Sequence, residues 1–409
     1  MNATRKPSRR WLLPVLAAAV CAAFTAAVVG SAGAAGGTIG IAGIEGAAGE
    51  GGPDFMEGMQ VAVDTINKAG GVNGRKIVLT LYKTGGTPEG AVAAYRQAAA
   101  NKNNIGSFLG SGGSLAVRAV SATVKMPDIS ASGNDAVDRP ITRYMFSNSG
   151  GAEYATASVV YAFTKLHVRS VAVLHYGSDF STQIESAIRS RCAQLGCKVT
   201  DVESGDPAAS IDQLTPQLTK MKDSNPDAYY IEGLNPNGYA GAHQLGMFNK
   251  PVIAEQWLTV PGLAAACGVN CEGVVFGAHK CVLRNVLPAS DPIVAICKQY
   301  VKQWDAYFKG KIPYSQFSIY GRDAVYTFAY AAKKVLAAGK ALTRENVTDA
   351  LEHINGDLTT THGQLYTSPS NHRLMGVWTE GYVDTTIKMV GGKPTWVLAP
   401  KADIKGSTG

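Results

Sequence analysis

Ser111-Gly112-Gly113-Ser114 is the stretch of this 409-residue chain best equipped to hold a small anion. It follows the apolar run Ile105 to Leu109, which reads as a strand, and it opens the helical pattern Leu115 to Val124. Bare glycines let a ligand approach the backbone, and hydroxyls beside helix-terminal N–H groups suit a carboxylate. The same four residues would also serve as a plain helix cap with a tight turn. A second polar loop, Ser132-Gly133-Asn134-Asp135, follows the short strand Pro127 to Ala131. Asn134 there offers both a donor and an acceptor to a ligand, or closes an Asx turn on its own backbone. Two further segments sit after strand-like runs: the polar and aromatic loop His175 to Ser181, and Glu255-Gln256-Trp257 behind Pro251 to Ala254.

The motifs of covalent and phosphate chemistry are missing. Gly40 to Gly46 does not match G-x-G-x-x-G, and Gly70 to Lys76 lacks the G-K-[S/T] ending of a phosphate loop. There is no G-x-S-x-G nucleophile elbow. The seven histidines show neither H-x-x-x-H nor H-x-H. The expectation is a protein that is not an enzyme and uses no cofactor and no metal. The formal net charge is +7, but Arg5, Lys6, Arg9 and Arg10 supply four of those charges in a leader without acids, leaving +3. No basic stripe is interleaved with aromatics, so nucleic acid is not an expected partner.

The elements that must position these loops alternate. Thr38 to Ala42 reads as a buried strand, and a Gly-rich loop runs from Gly43 to Pro53. Phe55, Met59, Ala62, Val63 and Ile66 then recur at helical spacing, Gly70-Gly71 ends the helix, and Ile77 to Tyr82 is a second strand. Such a strand–helix–strand unit has parallel strands, and the loop at a strand's carboxyl end is where open α/β sheets bind ligands. The alternation continues to about Phe146, crosses the polar segment Ser147 to Gly151, and restarts with the helix Tyr154 to Leu166. Two successive sets predict two doubly wound α/β lobes. Later helices are expected at Tyr239 to Phe248, Pro292 to Tyr307, Tyr320 to Ala338 and Thr343 to Ile354. Short extended pieces are expected at Gly376 to Trp378 and Thr395 to Leu398.

Residues 1–34 read as a secretory signal peptide: a basic start, the apolar stretch Trp11 to Gly30, and small residues for cleavage near Ala34-Ala35. The alternative is a retained membrane anchor. Cys192, Cys197, Cys267, Cys271, Cys281 and Cys297 remain beyond the leader, an even number suited to disulfides in an exported chain. Nearness along the chain suggests Cys192–Cys197, Cys267–Cys271 and Cys281–Cys297. The rival is a metal site built from the last four.

From Ile39 to about Val397 the sequence resembles the type I periplasmic solute-binding proteins of ABC transporters, in particular those for branched-chain amino acids. The resemblance is carried by Gly58 to Gly74 (GMQVAVDTINKAGGVNG), by Thr87 to Val92, by Phe108 to Ser114 with Ile129 to Ser132, and by His175 to Phe180. It implies a ligand between two lobes joined by three crossing strands. The first lobe would be residues 35–150 and 283–362, the second 151–282 and 363–409. It also implies that Ser111, Gly112, Gly113 and Ser114 grip a ligand carboxylate and that Ser132 and Asn134 meet its head group. Phe180 would close over it from the second lobe, in place of the usual tyrosine. Gln256 aligns with the acid that pairs a ligand ammonium, and a shift of one residue would put Glu255 there instead. The function implied is an extracytoplasmic, monomeric receptor that delivers a small polar solute, an amino acid or a related carboxylate or amide, to an ABC permease. A sensor subunit for a signalling partner and an exported hydrolase are the alternatives.

Overall fold

A computed structural model describes residues 37–46, 52–110, 112–177 and 180–402. The first strand, β1 (Ile39–Glu45), is buried along nearly its whole length, as its unbroken apolar sequence requires of a parallel strand covered on both faces. Helix α1 (Gly52–Lys68) follows, and β2 (Ile77–Lys83) lies parallel to β1 with Ile39 opposite Ile77. The turn between them is locked by Asn67: its Oδ1 accepts from the Ile77 amide at 2.8 Å, and its Nδ2 donates to the Ile77 carbonyl at 2.8 Å. α2 (Pro88–Ala100) starts at Thr87, whose side chain accepts from the Gly90 amide, with proline at its first position. β3 (Asn104–Leu109), α3 (Ser114–Val124), β4 (Asp128–Ser130) and β5 (Met145–Ser147) complete a five-stranded sheet in the order β2-β1-β3-β4-β5, all parallel.

The second set repeats the scheme: α4 (Glu153–Lys165), β6 (Ser170–Tyr176), α5 (Ser181–Leu195), β7 (Lys198–Gly205), α6 (Ile211–Asp223), β8 (Ala228–Ile231), α7 (Pro236–Gln244), β9 (Val252–Ala254), α8 (Pro261–Cys267) and β10 (Val275–His279). The chain then returns to the first sheet with α9 (Pro292–Phe308), α10 (Ser318–Ala337) and α11 (Arg344–Leu351), whose apolar faces join the core of β1, β3 and α1. α1 and α10 touch backbone to backbone, since a Cβ on Gly58 would strike the Ser318 carbonyl and one on Gly321 the Phe55 carbonyl. A small hairpin, β11 (Asn355–Thr360) and β12 (Gly363–Tyr366), follows, and Arg373 bridges to Ser147 beside β5. A helical turn, α12 (Trp378–Gly381), leads into β13 (Tyr382–Val390) and β14 (Lys393–Leu398). These two strands extend the second sheet antiparallel, in the order β14-β13-β10-β9-β8-β6-β7.

The two-lobed α/β expectation holds, and the details differ where local pattern misleads. α7 begins at Pro236 rather than Tyr239, because the Asn235 side chain accepts from the Asn237 amide and the proline fixes the first turn. α8 carries no separate signal in its small-residue sequence. Gly376 to Trp378 pairs in no strand; Val377 is extended, but Trp378 opens the turn α12, and its ring stacks on Tyr382 at 4.1 Å. β13 is buried on both faces over most of its length and so lacks the alternation that marks a strand. Among the described residues three disulfides are present, Cys192–Cys197, Cys267–Cys271 and Cys281–Cys297. The sulfurs of Cys281 and Cys297 stand beside buried His279 but are bonded to each other, so they offer no thiolate to an ion. Among the described residues, no helix is long and apolar enough to cross a membrane. Residues 1–34, the leader expectation, lie outside the described residues.

Candidate ligand-binding cleft

Loops at the carboxyl ends of parallel strands from the two sheets meet: the start of α5, after β6, bonds the loop after β4, and Gln256, after β9, bonds Tyr320 of α10. Ser114 is the first residue of α3, behind two glycines with positive φ, Gly112 (84°) and Gly113 (79°). A left-handed backbone at these positions is what glycine tolerates and other residues resist. Ser114 is buried, with its Oγ 2.8 Å from Ser130 Oγ at the end of β4. Ser130 Oγ in turn accepts from the Ser132 amide at 3.1 Å, and Ser132 Oγ accepts from the Asn134 amide at 3.3 Å. The first lobe therefore presents a run of hydroxyls. Ser111 lies outside the described residues. Asn134 Oδ1 accepts from the Ala136 amide at 2.9 Å, so this side chain starts the short helical turn Asp135–Val137.

The second lobe meets that loop through the start of α5. The Phe180 ring lies against Gly133, where a Cβ would have no room, and stands edge-on to Tyr154 at 6.5 Å. Three residues on, Gln183 Oε1 accepts from the Asp135 amide at 3.1 Å and its Nε2 donates to the Gly133 carbonyl. Gln183 thus ties one lobe to the other. Sequence reading missed it, although its i+3 spacing from Phe180 puts both on one helix face.

Glu255 and Gln256 follow β9 and point to different places. Gln256 reaches across to α10: its Nε2 donates to Tyr320 Oη at 3.1 Å, and Gln316 Nε2 donates to its Oε1 at 3.5 Å. The Tyr320 hydroxyl also meets that of Tyr154 at 2.7 Å, and Tyr154 meets Tyr382 at 2.9 Å. Trp257 stacks on Phe317 at 5.2 Å, and Phe55 packs edge-on to Phe317 and Tyr320. The wall so formed is aromatic with uncharged polar groups. Glu255 is fully buried instead, accepting from the Gly233 amide at 2.9 Å and from Tyr230 Oη at 3.0 Å. Beside it Glu232, also fully buried, accepts from Ser181 Oγ at 2.7 Å and from the Tyr176 amide at 2.5 Å. Burial, and then the neighbouring Glu255 carboxylate, push Glu232 above the usual carboxylate range; burial does the same to Glu255. The pair holds a proton at a pH where an exposed carboxyl has none.

Where the chain crosses between the lobes, Asp323 of α10 accepts from the Thr361 amide (2.8 Å), Thr361 Oγ1 (2.6 Å) and His362 Nδ1 (2.7 Å), and pairs with Arg322. Burial opposes ionisation there, but the Arg322 guanidinium and His362 outweigh it and hold the Asp323 carboxyl well below its usual range. His279, at the end of β10, donates from Nε2 to the Thr361 carbonyl at 2.7 Å while its Nδ1 accepts from the Cys281 amide at 3.0 Å; burial and then His362 push its pKa down.

Residues 13–385 match the family described as periplasmic binding protein. The chain belongs to that family. Within it, a "Leu/Ile/Val-binding protein homolog 3" from Brucella melitensis biotype 1 is 27% identical over 315 residues, 73% of this chain and 76% of the relative. Among solved structures, an extracellular ligand-binding receptor from Rhodopseudomonas palustris HaA2 superposes with a TM-score of 0.75 at 18% identity, covering 88% of this chain and 99% of that one. The branched-chain amino acid transporter substrate binding protein LivJ from Streptococcus pneumoniae, solved in complex with isoleucine, gives 0.69 at 20% identity, covering 88% and 99%. Periplasmic binding proteins bind solutes rather than turn them over. The groups gathered between the two sheets are those of Ser114, Ser132, Phe180, Gln183 and Gln256.

Proposed function

We propose that the protein is the extracytoplasmic receptor of an ABC importer, carrying a small organic carboxylate that has no ammonium group at its α-carbon. The observation that carries this ligand class is Gln256, an uncharged amide joined to Tyr320 across the cleft, while the adjacent Glu255 is turned into the second lobe and saturated there. An ammonium gains most from an ionised oxygen partner, and an amide oxygen supplies a weaker one. The carboxylate would lie at the amino end of α3, against the Gly112–Gly113 backbone and the Ser114 and Ser132 hydroxyls. The body would lie between Phe180 and the Trp257–Phe317 stack. We take the first lobe as residues 35–150 and 283–374 and the second as residues 151–282 and 375–409. The pairing of β12 with β11 and of Arg373 with Ser147 supports moving the last crossing beyond residue 362. Binding would favour the closed arrangement, which is the form a permease would recognise.

A second reading, branched-chain amino acids as ligand, is favoured by the name of the Brucella relative. Calorimetric titration with matched pairs separates the two: leucine, isoleucine and valine against the α-keto acids of the same skeletons. Tighter binding of the keto acids supports the ammonium-free ligand, and Gln256→Glu should then shift preference towards the amino acids. Tighter binding of the amino acids to the unaltered protein contradicts it and keeps the receptor reading.

A further inference from the structure

Away from the cleft floor, Arg139, Glu153 and Arg191 line a cavity of about 360 Å³ together with Asp135, Thr156 and Gln183. That volume lies within the range of small-molecule pockets. Its walls come from both lobes: Asp135 and Arg139 from the loop after β4, Glu153 and Thr156 from the first turn of α4, Gln183 and Arg191 from α5. Neighbouring charges here are already consumed. Arg373 Nε and Nη2 bind Asp138 at 2.9 and 2.8 Å, and Nη2 also binds Asp135 at 2.7 Å. Glu153 and Arg139 differ: among the described residues, neither side chain makes an ion pair or hydrogen bond. Arg191 uses Nη1 on Gln194 at 3.1 Å and makes no ion pair. Burial raises the Glu153 carboxyl above its usual range, and Arg373, Arg191 and Arg139 pull against that rise, as expected of an acid set among cations. An unpaired carboxyl facing two unpaired guanidiniums across a polar cavity is complementary to a molecule carrying both signs of charge.

We propose that this cavity is a second small-molecule site, which takes a zwitterion with its ammonium against Glu153 and its carboxylate between Arg139 and Arg191. Because its walls belong to both lobes, an occupant holds them together from outside the cleft, and binding at the two sites is mutually favourable. The test is calorimetric titration of the full chain with glycine, 4-aminobutanoate and 6-aminohexanoate, with acetate and methylamine as single-charge controls. At least one ω-amino acid should bind, and Glu153→Gln and Arg191→Gln should each weaken it by about tenfold, the loss expected for one charge-assisted bond. The single-charge controls should bind at least about tenfold more weakly than that amino acid. Both variants should keep the thermal stability of the parent and its affinity for the cleft ligand, which separates failure of this site from failure of the receptor reading. Absence of binding by all three amino acids, or binding that survives both substitutions, overturns the proposal.

Discussion

Glu232 and Glu255 place two carboxyls in the interior of one lobe, with Tyr176, Tyr230, Tyr239 and Ser181 around them and no cation among the groups that shift them. Both sit above their ordinary range when folded, so the folded chain binds more protons than the unfolded one between that range and neutral pH or slightly above. Stability contributed by the protonated pair is complete below the ordinary carboxyl pKa and is lost as pH rises through the raised values. The melting temperature should therefore fall between about pH 5 and about pH 8.5, and Glu232→Gln should flatten that fall. An unchanged slope in the variant would mean that the pair does not hold the proton. Gln183 is the second residue-scale test. Its two hydrogen bonds to Gly133 and Asp135 join the lobes, at about 0.5–1.5 kcal/mol each. Gln183→Ala should weaken solute affinity by about tenfold in a calorimetric titration while leaving the melting temperature of the solute-free protein nearly unchanged. The serines of the cleft were legible because each lies in a loop after a strand. Gln183, Tyr154 and Tyr320 were not, since their partners lie far along the chain: Tyr154 and Tyr320 meet across 166 residues, and no local pattern encodes such a contact.

Among the elements, α1 and α10 depend most on single atoms. Gly58 and Gly321 let the two backbones touch, and Phe55 from the same helix face packs on Phe108, Phe317 and Tyr320. Gly321→Ala should cost about 1–3 kcal/mol through overpacking, read as a lower midpoint of denaturant unfolding; an unchanged midpoint would refute the close approach. The Cys281–Cys297 bond ties the segment after β10 to α9 across 16 residues. Replacing both cysteines by serine should remove about 3 kcal/mol of stability, the cost expected for releasing a loop of that length. The strand–helix alternation of both lobes could be read because parallel strands are short apolar runs and α1, α2 and α3 carry one apolar face each. β13 could not, because an antiparallel strand added inside a sheet is buried on both faces and looks like neither pattern.

At the scale of the whole molecule, the proposed solute would lie between the two sheets and draw them together about the segments that cross from one to the other. Local periodicity does not encode the chain recrossing, which depends on which helices cover which sheet; the resemblance implies it, and the packing of α9, α10 and α11 on the first sheet displays it. The crossing region is built of buried, mutually bonded groups, Asp323 with Arg322, His362 and Thr361, and the hydroxyls of Tyr154, Tyr320 and Tyr382. Such a network supports two discrete arrangements better than a continuum of bends. The most direct measurement is the distance between spin labels at Gln97→Cys on α2 and Asp223→Cys on α6, one exposed site on each lobe. It would be taken with and without the tightest-binding member of the matched acid pairs. The account predicts that saturating solute collapses the distance distribution onto its shortest population, and that Gln183→Ala restores part of the longer one. Tight binding with no change in that distribution would contradict a solute held between closing lobes.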